Sequence, residues 1–152
     1  MCRKIFLLRH GTPQRKDSQR RYIGLTDIKL SENGRREAEA AGLWLKDKAI
    51  KKVYVSPLIR ALETAKIVAN FAGLSAPIIA QDLREINLGE WEEKTINEIR
   101  ENYTQQFEER GRHSWDFRIT GGETFHEAHE RFSGFLTSAL ASTKGNILLV
   151  TL

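Results

Sequence analysis

Three residue types able to act on phosphate stand in a row where an apolar run stops. Ile5-Phe6-Leu7-Leu8 runs into Arg9-His10-Gly11. An imidazole can attack phosphorus, a guanidinium can hold phosphate oxygens in a bidentate fork, and glycine lets a backbone come close. A second cation, Arg60, stands about one turn into the helix expected after Ser56-Pro57, so its long side chain could return to a strand end. That helix terminus offers free N–H groups and a partial positive charge. Glu85 sits between apolar residues in Leu83-Arg84-Glu85-Ile86. Partial burial there would raise its pKa and keep a proton available for a leaving alkoxide. Each feature alone has an ordinary reading: a core strand ending in a polar loop, a surface arginine on an amphipathic helix, a loop charge.

The elements that must position these residues alternate along the chain. A strand over about 4–9 reads as buried because its apolar residues are continuous. A long polar loop follows, through Gly24, and Ser31 opens a helix near 32–46 with Ala38, Ala41, Gly42 and Leu45 at sheet-facing spacing. Residues 52–55 form a second strand. Ser56-Pro57 starts a helix with Ala61, Ala65, Val68 and Ala72 as its buried stripe and Gly73 as its stop. Residues 77–80 read as a strand near a sheet edge, because of Pro77. A helix over 95–110 opens on a capping box, Thr95 with Glu98. Thr124 with Glu127 repeats the box before a helix to about 143 whose Phe125, Ala128, Phe132, Phe135, Leu136 and Ala139 face inward; a strand over 146–151 follows Gly145. Alternation of this kind specifies an α/β fold, a mostly parallel sheet with helices on both faces.

The length of 152 residues suits one domain with a real core. No apolar stretch approaches the roughly 20 residues of a membrane span. Met1-Cys2-Arg3-Lys4 lacks the apolar region of a secretory signal, and Cys2 is the sole cysteine, a usage that fits a reducing cytoplasm. The net charge of +4 raises three partners: nucleic acid, a membrane surface or a small anionic substrate. Basic residues are interspersed with acids, as in Arg35-Arg36-Glu37, and no aromatic residues interleave with Arg15-Lys16 and Arg20-Arg21. A base-stacking surface would need them, so nucleic acid is disfavoured. His126 and His129 could begin a zinc site but lack a third ligand. Trp44, Trp91 and Trp115 read as packing residues, with Trp91 also a candidate for substrate contact.

Five segments, in order, are LLRHGTP at 7–13, GLTDIKLSENGRREAEAAG at 24–42, VSPLIRALETA at 55–65, LREINLGEWE at 83–92 and GGET at 121–124. This ordered set resembles the histidine phosphatase superfamily, the phosphoglycerate mutase-like proteins. The resemblance implies a three-layer sandwich forming a single domain over 1–152, with a small cap insertion at about 86–120. It implies that His10 is the nucleophile that becomes phosphohistidine, that Arg9 and Arg60 clamp the phosphate, and that Glu85 protonates the leaving group. It places Thr12, Gly24 and Glu123 on the substrate side. His10 must then be neutral at its attacking nitrogen, so its other nitrogen needs a partner. Neither metal nor cofactor is called for, because the arginines supply the charge. The implied reaction is hydrolysis of a small phosphorylated metabolite. Tyr22-Ile23-Gly24-Leu25-Thr26-Asp27 is similar to a loop of α-ribazole phosphatases, which points to α-ribazole 5'-phosphate.

Two departures qualify the match. The family carries a second histidine after a late strand, in a pattern like LVSHGG, and Leu152 stands in its place. The expectation is a C-terminally truncated chain with one sheet face partly bare, an invitation to form a homodimer. A catalytically impaired phosphate-binding module is the alternative that Leu152 favours. Thr12-Pro13 stands straight after Arg9-His10-Gly11, where many relatives carry an acidic residue and then a Ser or Thr. Pro13 stiffens the loop and has no hydroxyl to offer. This weighs against the other alternative, a phosphoglycerate mutase-type phosphotransferase.

Overall fold

Residues 3–152 are described by the computed structural model; Met1 and the cysteine at position 2 lie outside the described residues. Four parallel strands, β1 (Ile5–Arg9), β2 (Ile50–Val55), β3 (Ile78–Ile79) and β4 (Asn146–Thr151), pair in the order β1-β4-β2-β3. Parallel neighbours need long crossovers, and the helices supply them. These are α1 (Glu32–Leu45), α2 (Ile59–Ala72), α3 (Ile96–Asn102), α4 (Thr104–Arg112) and α5 (Phe125–Ser142). The described residues divide into two compact units, one of 3–15, 27–84 and 134–152, the other of 16–26 and 85–133.

In the first unit, Val53, Val55, Leu148 and Val150 meet Ala38 and Leu45 of α1 and Ala61, Ala65, Val68 and Ala72 of α2. The alanine stripe of α2 follows from its i, i+4, i+7 spacing, and its small side chains bring the helix close to the strands. Each fully buried valine or leucine here contributes about 1.5–3 kcal/mol. On the opposite face Ile147 and Leu149 are wholly buried. There Tyr54 meets Phe135 of α5 edge to face at 5.3 Å. Helices lie on both faces of this sheet, the three layers expected, but over β1 the α5 face is bare. Ile5 and Leu7, in register with the buried Ile147 and Leu149, are exposed, which agrees with the expected partly bare sheet face.

Several local expectations change. β1 is an edge strand, and Ile5 and Leu7 are 41% and 66% exposed, so its apolar run is only half buried. β2 starts two residues early, at Ile50. α2 starts at Ile59 rather than Pro57, with Leu58 in the capping position. The single helix expected over 95–110 is two. Tyr103, at φ −133° and ψ 37°, breaks it, and its ring meets Trp91 at 6.3 Å. Thr104 Oγ1 donates to the Arg100 carbonyl at the break. Phe125 and Trp44 lie at the surface instead of packing inward. Both capping boxes form, Thr95 with Glu98 and Thr124 with Glu127. In the second unit Trp91 is wholly buried among Tyr22, Phe107 and Phe117, so it packs and does not face a substrate. Among the described residues no helix is long and apolar enough to cross a membrane.

The loop after β1 meets α1 backbone to backbone. A Cβ on Gly11 would strike the Gly34 carbonyl, and a Cβ on Gly34 would strike the Thr12 backbone. Gly34→Ala should therefore cost more than about 1 kcal/mol of stability by overpacking. Gly134→Ala, inside α5 with open space around it, should add about 0.5–1 kcal/mol. Chemical denaturation of the two variants checks the opposite signs; equal shifts would mean that the close approach is not a constraint.

Candidate active site

His10 is the residue after β1. Its amide donates to the Thr151 carbonyl at 3.0 Å and extends the β1–β4 ladder, so the sheet holds its backbone. Its Nδ1 lies 2.7 Å from the Gly11 carbonyl. A carbonyl only accepts, so Nδ1 carries the proton and Nε2 keeps the lone pair of a neutral ring. Gly11 is thus the partner whose identity could not be read along the chain. Burial is the main reason that the ring's pKa falls below 6.5; the Gly11 bond opposes this, and the positive charges of Arg60 and Arg9 lower it further. The Glu37 carboxylate pulls it back up. Both arginines predicted to clamp phosphate therefore act on the same imidazole. Arg9 ends β1 at the surface, and Arg60, in the first turn of α2, is 1% exposed.

Of the amides expected to be free at the start of α2, that of Ile59 is taken by Asp27 Oδ1 at 2.7 Å. The anion favoured by this helix terminus is in that respect internal. Thr12 gives both its amide and its hydroxyl to Glu37, at 2.8 and 2.9 Å. Its carbonyl accepts from the amide and hydroxyl of Ser31, each at 2.9 Å. Thr64, 1% exposed, accepts from the Gly11 amide at 3.0 Å and donates to the Arg60 carbonyl at 2.7 Å. Sequence reading passed over Glu37 and Thr64, although both lie inside quoted motifs. The signal for Thr64 is a hydroxyl within the alanine stripe of α2, where a buried polar group requires partners.

The remaining predicted residues belong to the second unit. Glu85 is half buried; its carboxylate accepts from the Ile86 amide at 2.9 Å and its carbonyl from Arg131 Nη2 at 3.2 Å. Glu123 forms a two-point ion pair with the same Arg131, at 2.7 and 2.9 Å, and both side chains are 12% exposed. The Glu123 amide also donates to the Asn87 carbonyl at 2.8 Å, so one arginine ties the segment after Glu85 to Glu123. Gly24 is buried, with its amide on Glu92 Oε2 at 3.0 Å. Glu92 also accepts from Leu25 and Thr26 and closes that loop. Arg131 and Glu92 were not legible as partners, because nothing local marks them. His126 stacks on Trp115 at 5.4 Å and His129 lies 5.3 Å from the same ring, an exposed aromatic cluster.

The family profile of the histidine phosphatase superfamily (branch 1) matches residues 5–151. The chain belongs to that superfamily. Its similarity to phosphoserine phosphatase 1 of Hydrogenobacter thermophilus is 31% identity over 134 residues, 88% of this chain and 62% of that protein. The probable phosphoglycerate mutase GpmB of Cronobacter sakazakii is 32% identical over 146 residues, 94% of this chain and 66% of its own length. The chain thus spans less than two thirds of these curated relatives. Among solved histidine phosphatase folds, the α-ribazole phosphatase of Shigella flexneri superposes with a TM-score of 0.84 at 26% identity, covering 97% of this chain and 72% of that one.

The ring's surroundings set a sign for pH dependence. His10 should titrate with a midpoint below 6.5 in proton NMR of its imidazole, because burial and two cations disfavour the charged form. Removing one cation, by Arg9→Gln or Arg60→Gln, should move that midpoint upward. A downward move would mean that the arginine charges do not act on His10.

Proposed function

We propose that the chain is the core of a phosphomonoesterase that works through a phosphohistidine. The observation that carries this reading is the His10 Nδ1 bond to the Gly11 carbonyl beside two guanidinium groups. A neutral imidazole with its lone pair on Nε2 can attack phosphorus while the P–O bond to the leaving alkoxide breaks. Arg9 and Arg60 hold the equatorial oxygens and stabilise the charge that spreads over them. Glu85 gives its proton to the leaving oxygen and then, as carboxylate, takes one from the water that hydrolyses the phosphohistidine. Thr12, Gly24 and Glu123 belong to the substrate side, each braced by a carboxylate or arginine already bonded to it. We take the second unit, 16–26 and 85–133, to contain the cap insertion expected at about 86–120.

The substrate class is a small phosphorylated metabolite met in the cytoplasm. α-Ribazole 5'-phosphate is the specific candidate, supported by the Tyr22–Asp27 loop and by the likeness to the Shigella flexneri enzyme. A mutase reading draws support from the Cronobacter sakazakii relative. It would pass the phosphoryl group to a second hydroxyl rather than to water.

Mixing the chain with p-nitrophenyl phosphate should leave acid-labile, base-stable phosphate on His10, found by peptide mapping. His10→Ala should abolish the label and lower turnover by at least about 10³-fold. Release of inorganic phosphate without an added acceptor supports the phosphatase, and release only with an alcohol acceptor supports the mutase. Phosphate binding with neither label nor turnover would overturn the enzyme reading in favour of a binding module.

A further inference from the structure

We propose that Thr64 is a positioning residue for the phosphoryl-transfer site, through a single hydroxyl that holds the Gly11 amide and so sets His10 against the Gly11 carbonyl. The proposal rests on the assignment of His10 and Arg60 made above. Its ground is a continuous line of bonds. His10 Nδ1 donates to the carbonyl of Gly11 at 2.7 Å, the amide of Gly11 donates to Thr64 Oγ1 at 3.0 Å, and that hydroxyl donates to the carbonyl of Arg60 at 2.7 Å. The line joins the ring that attacks to the residue whose guanidinium holds the target, and its Gly11–Thr64 step spans 53 residues of sequence.

The two ends of this line are not equivalent. α2 sets the position of the Arg60 backbone by its own hydrogen bonds, and a threonine hydroxyl bonded to the carbonyl four residues back adds little to a helix. Gly11 is different. It has no side chain of its own, and its backbone touches Gly34 of α1 on one side. A cavity of about 80 Å³, bordered by His10, Gly11, Glu37 and Thr64, leaves space beside it. The Gly11 carbonyl shares a rigid peptide plane with the Thr12 amide, which Glu37 keeps at 2.8 Å. Release from Thr64 frees the preceding His10–Gly11 peptide to tilt about Gly11, and His10 turns away from that carbonyl. The imidazole then loses the acceptor that fixes both its tautomer and its rotation. The hydroxyl therefore acts on catalysis at one remove, by holding Nε2 on the line of attack.

Thr64→Val keeps the shape and removes the hydroxyl; Thr64→Ser keeps the hydroxyl and removes a methyl group. Three measurements on the full chain separate the roles: side-chain ¹⁵N shifts of His10, the rate of acid-labile labelling of His10 by p-nitrophenyl phosphate, and the Kd for inorganic phosphate. With Thr64→Val the ¹⁵N shifts should move from one tautomer towards an exchanging mixture. Labelling should slow by about 10- to 100-fold, while the phosphate Kd stays within about threefold because the arginines remain. Thr64→Ser should restore the single tautomer and most of the labelling rate. Parent-like shifts and labelling in Thr64→Val would overturn the proposal. So would a Thr64→Ser variant as impaired as Thr64→Val, which would make the methyl packing decisive. A parent chain that takes no label on His10 counts against the phosphohistidine assignment; the tautomer of Thr64→Val then still decides the role of Thr64, since it requires no turnover.

Discussion

Backbone meets backbone where Gly11 and Thr12 cross Gly34, and most of the site depends on that contact. No side chain can be accommodated between them, so the loop leaving β1 has one path across the start of α1. Along that path the Thr12 carbonyl reaches Ser31, the N-cap of α1, and the Thr12 amide reaches Glu37 further along the same helix. On the other side Thr64 of α2 takes the Gly11 amide. The loop is thus held by both helices of one sheet face, and the imidazole inherits its orientation from two successive peptides, one held by α2 through Thr64 and the next by α1 through Glu37.

The electrostatics follow from the same packing. Holding the ring half buried at the strand end disfavours the imidazolium, and two guanidinium charges disfavour it further. On the proposed reading, fixed cations beside a neutral imidazole suit a dianionic substrate, because little reorganisation remains to be done when charge develops. Arg60 is the more demanding of the two, since a charge buried in this way needs partners to remain stable. Its place on an alanine-rich helix, against the sheet, ties the cation to the core and not to a mobile surface chain.

Relatives named for phosphoserine, phosphoglycerate and α-ribazole phosphate chemistry resemble the same stretch of this chain. A shared core with divergent names is the pattern expected when one fold carries a site and its loops choose the substrate. In the second unit the loops are organised by two charged residues, Glu92 gathering the amides after Tyr22 and Arg131 joining the Glu85 and Glu123 segments. Aromatic packing about Trp91 supplies the small core on which those loops rest.

Residue order alone determined a good deal here. The helix stripes at Ala61, Ala65, Val68 and Ala72, the boxes at Thr95 and Thr124, and the ordered motifs around Arg9, His10, Arg60 and Glu85 are local patterns. They operate through neighbours a few residues apart, so they can be read directly. The break at Tyr103, the half-open β1 and the surface placement of Phe125 were not legible, because each depends on what packs against the segment and not on the segment itself. Tertiary structure alone decided the carbonyl that accepts the His10 Nδ1 hydrogen bond, the hydroxyl that holds Gly11 and the arginine that pairs with Glu123. The sequence shows which groups are able to bond; only the folded chain, by bringing distant groups within about 3 Å, settles which of them do.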